Sequence, residues 1–89
     1  DRKFTLQELH EVLMQRIESQ DPKSYTASLS LEDIKAKIME EAEEVVRAET
    51  KDEILWEAAD VFYFVTTLLA KHKISIDEVF AELARRRRK

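Results

Sequence analysis

Five carboxylates in this chain stand at spacings that could do chemistry. Residues 40–44 read Glu-Glu-Ala-Glu-Glu, and after twelve intervening residues come Glu57 and Asp60. Glu57 and Asp60 are three apart, so on a helix they share one side. At about 100° per residue Glu41 and Glu44 likewise fall on one flank, beside Lys37, whereas Glu40 turns further toward solvent and Glu43 lies on the far side from Lys37. Two antiparallel helices joined by a tight connection at Glu49–Lys51 set Glu41 and Glu44 opposite Glu57 and Asp60. Four carboxylates facing one another repel unless a hard cation sits between them. All-oxygen ligation is what Mg²⁺ or Mn²⁺ takes, with water and substrate phosphates filling the open positions.

Each half of this constellation has a plainer reading. A Glu-Glu-x-x-Glu run alone is ordinarily a solvated helix face. Glu57 and Asp60 alone could pair with Lys35, Lys37 or Arg47. The two i, i+3 pairs on consecutive helices are harder to explain together, because Glu57 and Asp60 sit in an apolar surround with no basic residue between Lys51 and Lys71. A buried ionised carboxylate needs a partner. Other chemistries lack their residues. A di-iron bundle needs Glu-x-x-His pairs, but the residues three before His10 and His72 are Gln7 and Leu69. Both histidines read as surface residues, His72 near a helix C-terminus where a cation is favoured. The chain has no cysteine for a thiolate nucleophile or ligand and no glycine for a phosphate-cradling loop, and no serine–histidine pattern stands out.

The elements that must carry these side chains are helices. With no glycine and the single proline Pro22, the composition disfavours a sheet with tight turns. Four Ser or Thr residues are followed three positions later by an acid, the signature of a capping box: Thr5/Glu8, Ser30/Asp33, Thr50/Glu53 and Ser75/Glu78. They predict four helices, over residues 5–19, 31–48, 51–72 and 76–87, with residues 21–29 a connecting loop. The first shows Leu6, Leu9, Leu13 and Ile17 on one face. The second carries a stripe of Leu31, Ile34, Ile38, Ala42 and Val45, and the fourth buries Ile76, Val79, Phe80 and Leu83. The third is apolar nearly all round from Ile54 to Ala70, as a helix at the centre of a bundle would be. Three neighbours from one short chain cannot cover such a helix. The expectation is an all-α four-helix bundle completed by homodimerisation.

Composition sets outer bounds. Eighty-nine residues make one small domain. Net charge is −4, and Arg85 to Lys89 carry five positive charges, so the other 84 residues sum to −9. Phosphate contacts to a nucleic acid need clustered cations, so a nucleic-acid partner is not expected, and the terminal basic run reads as a solvated helix end or the start of a linker. The longest nearly apolar run, Val61 to Ala70, is far shorter than a membrane span, and no secretory signal is visible near Asp1. A cytoplasmic protein is expected, consistent with the absence of cysteine. The first residue is not methionine, which raises the expectation of a domain excised from a longer, multifunctional chain.

The constellation resembles a known signature. Glu40-Glu41-x-x-Glu44, then Glu57-x-x-Asp60, is similar to that of the all-α nucleotide pyrophosphohydrolases of the MazG-like superfamily. Within it the chain resembles the phosphoribosyl-ATP pyrophosphohydrolase family, through Ser24-Tyr25-Thr26 with Leu29, the block from Lys37 to Glu44, Glu57-Ala58-Ala59-Asp60 with Tyr63, and Val79 with Glu82-Leu83. The likeness spans residues 24 to 86. The acidic signature is common to the superfamily and specifies chemistry; the Ser-Tyr-Thr segment narrows the substrate. Two positions depart from the family pattern: Lys23 stands where many members have glycine, and Phe64 where many have histidine. Trp56 and Phe62-Tyr63-Phe64 look more like the domain inside fungal multifunctional histidine-biosynthesis enzymes.

The resemblance implies a MazG-like bundle and hydrolysis of phosphoribosyl-ATP to phosphoribosyl-AMP and pyrophosphate, the second step of histidine biosynthesis. It implies Mg²⁺, with Mn²⁺ as a substitute, held by Glu41, Glu44, Glu57 and Asp60. Glu40 or Glu41 would orient or deprotonate the attacking water. Lys37 would contact phosphate, and Ser24, Tyr25 and Thr26 would close over the substrate. Tyr63 and Trp56 invite a base-stacking role, against the plainer reading of core or interface aromatics. Two alternatives stay open: a house-cleaning or dUTP-type pyrophosphohydrolase with the same metal chemistry, and a non-catalytic helical dimerisation module. Fusion to other histidine-pathway domains is a further expectation.

Overall fold

A computed structural model describes residues 3–20 and 22–87 of the chain. They form an all-α fold of five helices: α1 (Leu6–Ser19), α2 (Tyr25–Ser28), α3 (Leu31–Arg47), α4 (Lys51–Lys71) and α5 (Ile76–Arg86). No strand occurs among the described residues, and no helix among them is long and apolar enough to cross a membrane. Four helices lie within one residue of the spans expected from the caps and the apolar pattern. Thr5, Ser30, Thr50 and Ser75 each accept a hydrogen bond from the N–H three residues on, and the last three form reciprocal boxes with Asp33, Glu53 and Glu78. These bonds satisfy N–H groups that the first helical turn leaves without partners.

The additional helix, α2, lies in the segment expected to be a loop. Ser24 caps it by accepting from the Ala27 N–H at 3.3 Å. A single turn of four residues is too short to display a 3.6-residue period, so only its cap could have announced it. Asp21, within the same segment, lies outside the described residues.

Two turns work without glycine. α1 ends on Gln20 and α4 is followed by Lys73, both left-handed at φ 52° and 58°. After α4 the Ile74 N–H donates to Leu69 O at 2.9 Å and the Lys73 N–H to Ala70 O at 3.0 Å. This is the paired bonding of a Schellman ending, with lysine where glycine is usual.

α4 is the axis of the fold. α3 packs along it in the most extensive helix–helix contact, α1 packs on it from another side, and α5 touches α1. Gln7 Nε2 donates to Asp77 Oδ1 and His10 Nε2 lies 2.8 Å from Ile74 O, so α1 is tied to the first turn of α5 and to the connection before it. His10 is therefore bonded rather than a simple surface residue. Leu13, Ile34, Phe64, Ala70 and Ile76 are buried, together with Thr26, Thr66 and Thr67.

As its all-round apolar pattern implied, α4 is not covered on every side by the chain itself: Ile54, Leu55, Trp56, Phe62 and Val65 are exposed. The expected apolar faces of α3 and α5 are buried less than the pattern suggested. On α5 only Ile76 is buried and Val79 is partly so, while Phe80 and Leu83 remain 51% and 55% exposed. On α3 Ile34 is buried, Ile38 and Val45 are half-buried, and Leu31 and Ala42 are exposed. The reason is geometric. The apolar faces of α4 and α5 flank a groove of about 430 Å³, lined by Val61, Phe62, Val65, Leu69, Phe80 and Leu83 among others, that no further element among the described residues fills. In the terminal basic run, Arg85 and Arg86 both pair with Glu82; Arg88 and Lys89 lie outside the described residues.

Candidate metal centre

The α3–α4 hairpin brings the acidic residues together. The turn between the helices is held by Glu53, whose Oε1 accepts from both the Glu49 and Thr50 N–H groups at 3.0 and 3.1 Å. With the antiparallel register set there, Glu41 of α3 meets Glu57 and Asp60 of α4. One carboxylate oxygen from each of the three lies within 4.8 Å of the others. Glu44 stands beside Glu57, close enough for its charge to act on it, but outside that three-carboxylate group.

The electrostatics of the group are unfavourable as it stands. Glu41 Oε2 is shut off from solvent and has no hydrogen-bond partner among the described residues. Burial, then the charges of Asp60 and Glu57, push the Glu41 carboxyl above its ordinary range. Glu57 is raised as well, by burial first and then by Glu44 and Asp60. The oxygens nearest Glu41 are themselves carboxylate acceptors, which carry no proton to share when ionised.

The neighbouring bases do not relieve this. Among the described residues Lys37 pairs with Glu40 at 3.0 Å and Arg47 with Glu43, each along its own helix. The plainer reading, in which Lys35, Lys37 or Arg47 neutralises Glu57 and Asp60, has no ion pair behind it among the described residues. An orphaned, buried acceptor among oxygen-only donors is the setting a hard divalent cation fits, and the donor chemistry excludes a soft-metal preference.

The remaining candidates fall around this centre. Glu40 is exposed and engaged by Lys37, whose ammonium is held above its ordinary range, chiefly by that hydrogen bond and charge, with Tyr25 and Glu41 also acting on it. Lys37 and Glu40 line an open groove of about 330 Å³ with Leu29, Asp33 and Ala36. Tyr25 is about half exposed, and Ser24 is half-buried in its capping role. Thr26 and Tyr63 are brought to each other, with Thr26 Oγ1 2.6 Å from the Tyr63 hydroxyl. Trp56 is 74% exposed and is not a core aromatic of the single chain. The sequence offered Arg47 only as a salt-bridge partner for α4. It also lines a small crevice with Glu44, Ala48, Glu53 and Glu57 at the closed end of the hairpin, a placement that follows from the turn and has no sequence signal of its own.

Known proteins resemble the chain along most of its length. The family model described as phosphoribosyl-ATP pyrophosphohydrolase matches residues 6–87. The chain is 42% identical over 89 residues to the phosphoribosyl-ATP pyrophosphatase of Pyrobaculum islandicum, covering 93% of this chain and 95% of that one. It is 42% identical over 86 residues to the histidine biosynthesis bifunctional protein HisIE of Pyrococcus furiosus, and 42% over 73 residues to the histidine biosynthesis trifunctional protein of Saccharomyces bayanus. Those alignments take in 93% and 80% of this chain but only 41% and 9% of the two relatives. Fusion with other histidine-pathway domains thus occurs among the relatives. The chain belongs to the phosphoribosyl-ATP pyrophosphohydrolase family.

Proposed function

We propose that this chain hydrolyses phosphoribosyl-ATP to phosphoribosyl-AMP and pyrophosphate, the second step of histidine biosynthesis, as a cytoplasmic Mg²⁺-dependent enzyme. The observation that carries the reading is the Glu41–Glu57–Asp60 group with its buried, partnerless Glu41 oxygen, in a chain of this family. Glu41, Glu57 and Asp60, with Glu44 beside them, would hold the metal. Mg²⁺ in that position supplies charge neutralisation for the triphosphate oxygens and the departing pyrophosphate.

The chain's own groups do the rest. Hydrolysis breaks the anhydride between the α- and β-phosphates, and the attacking water must lose a proton. Glu41, in the carboxylate group itself, would orient that water or accept its proton. Glu40, one residue away, is the alternative acceptor once Lys37 turns to the substrate. Lys37 sits at the groove beside Tyr25 and would meet a phosphate there, with Ser24 and Tyr25 contributing hydroxyl groups. The test is pyrophosphate release by the purified protein from phosphoribosyl-ATP, with ATP and dUTP as controls. Release from phosphoribosyl-ATP alone supports the reading, and release from dUTP alone moves the protein to a sister activity.

The same reading includes a homodimer. A second copy laid on the groove between α4 and α5 would cover Phe62, Val65, Phe80 and Leu83, which the single chain leaves exposed. Contiguous apolar surface of this kind ordinarily marks an interface. Sedimentation equilibrium reports the mass directly. A dimer that Phe80→Glu converts to monomer is expected, and a wild-type monomer at micromolar concentration contradicts it.

A further inference from the structure

Thr26 is 1% exposed, so its hydroxyl is cut off from water and needs a partner inside the fold. That partner is the hydroxyl of Tyr63, 2.6 Å away and 37 residues along the chain. Thr26 lies at the middle of α2, and a four-residue helix has no stability of its own to fix where it rests. Its position depends on what ties it down.

The ties come from two side chains on one face of α4. Tyr63, Thr67 and Lys71 follow one another at four-residue spacing. Besides the Tyr63 hydroxyl, the Lys71 ammonium reaches α2, donating to Ala27 O at 3.4 Å, while the Thr67 hydroxyl between them donates within α4 to Tyr63 O at 2.8 Å. The stripe extends toward the other end of the helix through Asp60 and Glu57, the carboxylates of the candidate metal centre. One rigid helix therefore carries both the metal-facing acids and the anchor of the segment that bears Tyr25. Tyr25, docked in this way, stays close enough to Lys37 to act on its charge.

We propose that Tyr63 is a positioning residue: through its hydroxyl bond to Thr26 it docks α2 on α4, so that Tyr25 is presented beside Lys37 in register with Asp60, one turn away on the same helix. Neither Thr26 nor Tyr63 touches the nucleotide in this account. Each is satisfied by the other. The proposal rests on the phosphoribosyl-ATP reading for its kinetic consequence, and on the hydroxyl pair alone for its structural one.

Two measurements on the full chain test it. Tyr63→Phe and Thr26→Val each delete one hydroxyl with little change of shape. Each is expected to raise KM for phosphoribosyl-ATP by about tenfold, the size of one buried hydrogen bond left unmade, with kcat close to that of the parent. Thr26→Ser keeps the hydroxyl and retains most of the affinity, and the double variant is no worse than either single one. In the same proteins without substrate, amide hydrogen exchange at residues 24–29 quickens while α3 and α4 keep their protection. A KM that does not move, a loss confined to kcat, or unchanged exchange at residues 24–29 overturns the proposal. If the parent protein turns over no phosphoribosyl-ATP, the functional reading fails by itself, and the exchange rates still decide whether the pair docks α2.

Discussion

Glu53 Oε1 accepts the N–H of Thr50 at 3.1 Å while the Thr50 hydroxyl accepts the N–H of Glu53 at the same distance. This reciprocal pair starts α4, and the added bond from the Glu49 N–H closes the turn that sets the register of the acidic residues.

The pair makes the hairpin sensitive to acid. Backbone N–H donors at Glu49 and Thr50 hold the Glu53 carboxyl below its ordinary range. A carboxyl with a lowered folded-state value contributes stability that is present above its unfolded value, and the contribution is lost as pH falls through the folded one. Glu82 is lowered too, by Arg85 and Arg86, and acts in the same direction. A comparison with Glu53→Gln isolates the hairpin. The variant is expected to melt a few degrees lower at neutral pH, and the gap is expected to close as pH drops below about 4.5. Thermal melts followed by circular dichroism across that range check it, and a gap independent of pH contradicts it.

Glu41→Gln separates stability from function. Replacing the half-buried Glu41 carboxylate, whose Oε2 has no partner among the described residues, with a neutral amide removes its repulsion with Glu57 and Asp60. In metal-free buffer the melting temperature is expected to rise by roughly 4 °C. Added Mg²⁺ is expected to stabilise the parent by binding only the folded state and to have little effect on the variant. Paired melts with and without Mg²⁺ read both effects. A variant less stable than the parent without metal contradicts the electrostatic account of the site.

Lys73→Gly tests the turn after α4. Lysine at φ 58° carries the left-handed strain of a residue with a Cβ, ~1–2 kcal/mol, which exceeds the ~0.5–1 kcal/mol of extra backbone entropy that glycine forfeits on folding. The substitution is expected to raise stability by about 0.5–1 kcal/mol in urea denaturation with an unchanged m-value. No gain means the strain is relieved locally by other means.

Much of this arrangement was legible in the sequence, for physical reasons that differ by element. Helix starts at Ser30, Thr50 and Ser75 declare themselves because a capping box is a local bond between residues three apart. The meeting of Glu41 with Glu57 and Asp60 was legible because a short turn leaves two helices one antiparallel register. The looser place of Glu44 was not, since one turn of helix decides whether a carboxylate reaches the common point. The Thr26–Tyr63 bond was also out of reach, because it joins residues far apart in the chain and α2 is too short to show a period. The apolar pattern of α4 and α5 stated which side chains avoid water but not which chain covers them. Phe80 and Leu83, on the expected buried face of α5, are therefore exposed in the single chain.

The central claim is that the α3–α4 carboxylates bind the metal on which hydrolysis depends. It is tested most directly by measuring pyrophosphate release from phosphoribosyl-ATP over a Mg²⁺ titration, for the parent protein and for Asp60→Asn. The account predicts no release from the parent without Mg²⁺ and saturable release with it. Asp60→Asn should be at least about 100-fold less active at Mg²⁺ levels that saturate the parent. Equal activity of the two proteins at every Mg²⁺ concentration, or full release by the parent in chelator, would contradict it.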